Sequence, residues 1–102
     1  GENVYSTEVE NTLYLHPAVL ECAVVGVPDE KWGEAVKGIV VLKPGCEATE
    51  EKLIRFCKER IARYKAPKSI DFISALPKTG SGKIEKKKLR DRYWPEAEKK
   101  VR

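Results

Sequence analysis

Methionine is absent from the 102 residues, and histidine occurs once, at His16. A chain that opens on Gly1 and carries no methionine reads as a piece cut from a longer protein, so part of the function is expected to lie outside it. The three cysteines, Cys22, Cys46 and Cys57, are odd in number, and their spacings of 24 and 11 match neither a disulfide framework nor a zinc-ligand pattern. They are expected to be reduced, two of them in the core, with no metal bound. Long apolar runs are missing too. No run exceeds four residues, as at Ile39 to Leu42, far short of the ~20 residues that a membrane-spanning helix requires, and no charged-then-apolar leader opens the chain. What remains is one cytoplasmic domain with a modest core.

Charge is plentiful and unevenly divided. Gly1 to Glu51 holds 3 Lys or Arg against 10 Asp or Glu, whereas Lys52 to Arg102 holds 17 against 6. The second half is the anion-facing half. It reads either as a solvated basic helix or as a surface for a phosphorylated small molecule or a nucleic acid.

Ser6 suits the N-cap of a first helix with Glu8 in its first turn, ended by Pro17. Val19 to Val27 is nearly continuous in β-forming apolar residues, as in a central strand buried on both faces, with a turn at Pro28-Asp29. Ala35 to Leu42 forms its antiparallel partner. Thr49 caps a second helix running to about Ala62, with Leu53, Ile54, Phe56, Cys57 and Ile61 at helical spacing. Ser69 to Ile73 is a third strand, and Ile84 to about Tyr93 a basic third helix stopped by Pro95. The order predicts an α+β fold: a small two-layer domain with a three-stranded mixed sheet, including an antiparallel hairpin, packed against helices.

The stretch Pro77-Lys78-Thr79-Gly80-Ser81-Gly82-Lys83-Ile84 stands out. Gly80 and Gly82 allow positive φ, Pro77 stiffens the entry, and Ser81 is placed to cap the following helix. Either this is an ordinary turn or it presents Lys83 at the tip of a fixed stem. It is not a nucleotide P-loop, which needs four residues between its glycines and Ser or Thr after the lysine. The dinucleotide fingerprint fails as well, since its third glycine would fall at Glu85.

Three stretches together resemble the carboxy-terminal domain of the adenylate-forming enzymes, the superfamily of acyl-CoA synthetases, peptide-synthetase adenylation domains and luciferases. They are Gly1 to Glu10, which departs from the family's more usual proline at Ser6; His16-Pro17-Ala18-Val19 with Val24 to Asp29 and Trp32-Gly33-Glu34; and Pro77 to Ile84. The resemblance implies a mobile C-terminal domain over residues 1–95, a frayed tail over 96–102, and an N-terminal domain outside this chain. It implies an acid–thiol ligase, of the fatty-acid CoA ligase type, in which ATP and a carboxylic acid give acyl-AMP and CoA then displaces AMP. Magnesium would arrive with ATP on the N-terminal domain, and this chain alone would be inactive.

By the same resemblance Lys83 is the catalytic lysine, supported by Pro77, Gly80 and Gly82. After the domain rotates, Gly1, Glu2, Trp32, Tyr64, Lys65 and Lys68 would contact CoA. Ala66 departs from the arginine that some of these ligases carry there. Alternatives are an amino-acid or aryl-acid adenylating enzyme, the former handing its product to a carrier protein instead of CoA, and a small basic nucleic-acid-binding module. The last is disfavoured, because the chain lacks a groove-reading helix signature and an aromatic RNA-binding strand pair.

Overall fold

A computed structural model describes residues 6–31 and 33–94. The expectations for Gly1, Glu2, Trp32, Pro95 and the tail lie outside the described residues.

Helix α1 (Ser6–Tyr14) leads to strands β1 (Val19–Asp29) and β2 (Gly33–Leu42). Helix α2 (Glu50–Lys58) and a short 3-10 turn at Arg63–Lys65 then lead to β3 (Ser69–Phe72), and α3 (Lys86–Asp91) follows. β2 pairs antiparallel with β1 and parallel with β3, giving the order β1-β2-β3. The parallel pair requires a crossover, and the chain from Leu42 to Ser69 containing α2 supplies it.

Thr49 caps α2 as its sequence foretold, its hydroxyl accepting the Lys52 amide at 3.1 Å, with Glu50 and Glu51 in the first turn. The helix ends earlier than its periodicity suggests. The amides of Arg60 and Ile61 both turn onto the Cys57 carbonyl at 3.0 and 2.9 Å, which closes the last turn. Likewise α1 stops at Tyr14, before Pro17 is reached, as the Leu15 and His16 amides bond back to Thr12 and Leu13.

β1 is buried on both faces but is an edge strand, not a central one; β2 is the strand paired on both sides. One face packs Cys22, Val24 and Val40 against Val9 and Leu13 of α1 and Leu53 and Cys57 of α2. The other packs Ala23, Val25, Ile39 and Val41 against Leu76 and Leu89. Helices therefore cover both faces of the mixed sheet, which adds a layer to the α+β arrangement expected.

The unpaired side of β1 presents the peptide groups of Cys22, Val24 and Gly26, and side chains close all three. The Tyr14 hydroxyl accepts from the Cys22 amide at 3.2 Å and donates to its carbonyl at 3.4 Å. Glu10 Oε2 accepts the Val24 amide at 2.8 Å, and Trp94 Nε1 donates to the Gly26 carbonyl at 2.9 Å. Pro28 continues this outward-facing series, so its missing N–H costs no ladder bond; the strand runs through it to Asp29, paired with Gly33, and the expected turn comes later. On the opposite edge Glu50 Oε2 accepts the Ile70 amide at 2.7 Å.

Burial pushes the Cys22 thiol up to about 12, with help from the nearby Glu10 charge, and Cys57 up to about 11. Burial, then the Asp71 carboxylate, raises the Tyr93 phenol to about 12. A folded state that holds protons which the unfolded chain releases loses stability as pH rises. Stability is thus expected to decline from about pH 9, where unfolded thiols ionise, toward about pH 12. Urea unfolding followed between about pH 8 and about pH 10.5 checks this: Cys22→Ala/Cys57→Ala should flatten the decline, whatever its effect at neutral pH.

Candidate functional site

Residues 77–85 form a narrow hairpin. Lys78 and Ile84 make an antiparallel bridge. The Glu85 amide donates to the Pro77 carbonyl at 2.9 Å and the Thr79 amide to the Lys83 carbonyl at 2.8 Å. The tip is a four-residue turn, closed by Gly82 N–H to the Thr79 carbonyl at 2.9 Å. The Thr79 hydroxyl braces it from inside, accepting the Lys83 amide at 3.2 Å and lying 3.0 Å from the Ser81 hydroxyl.

Gly82 has φ +90°, so a side chain there would be strained, whereas Gly80 stays out of that region and a Cβ on it would meet nothing within 4 Å. The tip thus needs one of its two glycines for conformation. Ser81 does not cap α3: it faces Thr79, and the helix starts later at Lys86, with Glu85 as an N-cap whose side chain makes no capping hydrogen bond. The intervening residues are spent on the returning leg of the hairpin.

Lys83 is exposed, and among the described residues its ammonium has no hydrogen-bond or ion-pair partner. Its neighbours differ. Lys78 pairs with Glu21 at 2.5 Å, and Lys86 with Glu10 at 2.6 Å. Leu76 is buried below the hairpin, and Ile84 packs on the same core cluster. The stem is held by apolar contact, backbone bonds and ion pairs, while the Lys83 ammonium has no partner among the described residues.

The second group of residues lies elsewhere. Tyr64 is 66% exposed on the 3-10 turn. Lys65 crosses to α1, where its ammonium meets Glu8 Oε1 at 3.0 Å and also lies 5.8 Å from the Tyr64 ring centroid. Ala66 is buried in the core cluster beneath α1 and α2, so the position that carries arginine in some ligases here serves packing. Lys68 is exposed, and its amide donates to the Val36 carbonyl at 2.8 Å. With Ser69 it lines an open depression of about 420 Å³ that also includes Val27, Asp29, Lys37 and Tyr93.

Lys37 and Tyr93 form a polar unit in the wall of that depression that sequence reasoning missed. Asp71 accepts from the Tyr93 hydroxyl at 2.5 Å and the Lys37 ammonium at 3.0 Å. The Tyr93 hydrogen bond foremost, and Lys37 with it, holds the Asp71 carboxyl below its usual range. No sequence signal marks this unit, because its three members come from β2, β3 and the segment just after α3.

Lys83 and Lys68 are not brought together. The hairpin is anchored to Glu21 near the start of β1, whereas the depression meets β1 at Val27 to Asp29; that is roughly 20 Å along a strand rising ~3.3 Å per residue. One domain therefore carries two separate cationic positions. The magnesium implied above finds no donor set, since among the described residues no cluster of His, Cys, Asp and Glu is arranged to hold a metal ion.

Residues 8–83 match the model of a protein family described as the AMP-binding enzyme C-terminal domain. The chain is 50% identical over 93 residues to a feruloyl-CoA synthase of Amycolatopsis, covering 91% of this chain and 19% of that protein. An acetate–CoA ligase of Humulus lupulus is 53% identical over 95 residues, covering 88% and 16%. Among solved structures, a Mycobacterium tuberculosis fatty acyl CoA synthetase superposes with a TM-score of 0.82 at 46% identity, covering 91% of this chain and 18% of that one. The chain spans about a fifth or less of the length of these relatives. With the family model covering most of the chain, and the fold shared at this level of identity, the protein belongs to the AMP-binding enzyme C-terminal domain family.

Proposed function

We propose that this domain works beside an adenylating N-terminal domain as part of an ATP-dependent acyl-CoA synthetase, supplying Lys83 to the first half-reaction and part of the CoA site to the second. The observation that carries the reading is the hairpin, which ends in an ammonium with no partner among the described residues on a stem braced from several sides. Adenylation brings an anionic carboxylate against an electron-rich phosphate. A cation between them offsets repulsion and stabilises the charge that develops in the transition state. As a point charge on a flexible stem, lysine meets that demand without a fixed hydrogen-bonding fork. No covalent bond to Lys83 is involved.

The separation of Lys83 from Lys68 supports use of the domain in two orientations, one for each half-reaction. In the second, the depression lined by Lys68 would receive the CoA nucleotide, with Trp32 among its contacts and Tyr64 offering an exposed ring for stacking. Lys65 joins that surface only if its Glu8 pair opens. Gly1 and Glu2 would border the pantetheine arm. We read the acid as a fatty acid, supported by the M. tuberculosis fatty acyl CoA synthetase and by a fatty acid–[acyl-carrier-protein] ligase of Streptomyces coeruleorubidus that is 46% identical over 101 residues. Relatives named for ferulate and acetate match as well, as expected if the acyl pocket belongs to the other domain.

In the two-domain enzyme, Lys83→Ala should slow acyl-adenylate formation by about a hundredfold or more, the scale for losing one electrostatic stabiliser. Acyl transfer to CoA from pre-made acyl-adenylate should stay near the wild-type rate. Equal loss in both half-reactions would assign Lys83 to the fold or to AMP binding. Gly82→Ala, at positive φ, should show a weaker version of the same bias, and Gly80→Ala should leave the hairpin intact.

For the CoA surface, Lys68→Ala should raise the KM for CoA several-fold while ATP–pyrophosphate exchange is unchanged. An unaltered KM would remove Lys68 from the site.

A further inference from the structure

The two lysines that flank the hairpin tip are each tied to a carboxylate on a different element. Lys78, on the outgoing leg, pairs with Glu21 of β1 at 2.5 Å. Lys86, where the returning leg enters α3, pairs with Glu10 of α1 at 2.6 Å, and that same carboxylate accepts the Val24 amide at 2.8 Å. The Lys86–Glu10 pair is partly shielded, at 26% and 17% exposure, and so is less screened than an open surface pair, while the Lys78–Glu21 pair is more open, at 40% and 29%. Inside this frame the hairpin is short and its own bonds are local. They fix the shape of the tip but not its direction relative to the sheet. Leu76 and Ile84 give it an apolar footing.

We propose that Glu10 and Glu21 are positioning residues for Lys83, acting as two clamps on either side of the hairpin that fix where its ammonium is delivered. The proposal rests on the reading of Lys83 as the adenylation lysine. Neither glutamate touches substrate; each acts through a lysine of the stem. The clamps lie on both sides of the tip, so loss of either lets the hairpin pivot about the other. Lys83 is displaced without unfolding. A displacement on the order of 1 Å is enough to lower the rate of a positioned reaction by up to a hundredfold. Because both partners of each pair move with this domain, the clamps persist through any rotation of it, and their effect is confined to the half-reaction that uses Lys83.

The test uses the two-domain enzyme carrying Glu21→Gln, Glu10→Gln or Lys83→Ala. Glutamine at position 10 keeps an acceptor for the Val24 amide while removing the charge facing Lys86. Each glutamine variant is expected to slow adenylate formation by about 3- to 30-fold through kcat, with the KM for ATP and acid and the transfer to CoA unchanged. Hydrogen exchange should rise in the peptide spanning residues 77–85 and not in that spanning α2. The exchanged pair Glu21→Lys/Lys78→Glu should recover most of the lost rate. Equal losses in both half-reactions, unchanged exchange in the hairpin, or failure of the exchanged pair to recover activity would overturn the proposal. If Lys83→Ala stops adenylation while both glutamine variants keep the wild-type rate, the clamps alone are refuted. If Lys83→Ala is itself without effect, the catalytic reading of the hairpin is refuted first.

Discussion

The domain depends on how the outer side of β1 is closed. Its first two strands form a hairpin that carries apolar residues on both faces, and such a strand would ordinarily sit in the middle of a sheet. Here it is at the edge, where exposed peptide groups invite pairing with another chain. A tyrosine hydroxyl, a carboxylate and an indole N–H cover Cys22, Val24 and Gly26 in turn. Those caps come from both sides: Tyr14 and Glu10 from α1, and Trp94 from beyond α3. The edge is therefore the seam along which the two layers of helices are joined across a thin sheet.

The same seam organises the candidate site. Glu10 accepts a peptide N–H from the strand and an ammonium from the start of α3, so the bond that protects the edge also holds the element that follows Lys83. One carboxylate thus ties together the edge of the sheet and the stem of the hairpin.

Much of this was legible in the residues. Thr49 with two glutamates announced α2, and the β-rich runs announced a hairpin. Pro77 to Ile84 stood out as a tight polar turn carrying Lys83. What sequence could not supply is telling. β1 looked central because burial on both faces produces the same apolar run whether the neighbours are strands or helices. Ser81 looked like a helix cap because local chemistry does not reveal that the chain first returns along Ile84 and Glu85. Thr79 was the one missed residue with a local signal, since a hydroxyl preceding a glycine-containing turn is placed to hold backbone N–H groups. Glu10, Glu21, and the unit of Lys37, Asp71 and Tyr93 had none, as their partners are distant in sequence. The residues assigned to CoA split in the same way: Lys68 faces a depression, while Lys65 is engaged by Glu8, a partner no local motif could foretell.

Gly26 has a consequence for how the hairpin finds its alignment. Strands that are apolar on one face and polar on the other punish slippage by one residue, because every side chain changes sides. β1 carries cysteine and valine on one face and alanine and valine on the other, so its hydrophobicity alone discriminates weakly between alignments. Part of the discrimination falls instead to small residues: a Cβ at position 26 would come within 1.6 Å of Glu34 Oε1, and one at Gly38 within 2.7 Å of Ile70 Cδ1. Slipping β1 by one place would bring Val25 or Val27 against the Glu34 carboxylate, which would swing aside, and would turn Pro28 toward β2, where its missing N–H leaves a ladder bond unmade. The pairing of the strands is thus proofread by what residues lack: a side chain at Gly26 and Gly38, and an amide proton at Pro28.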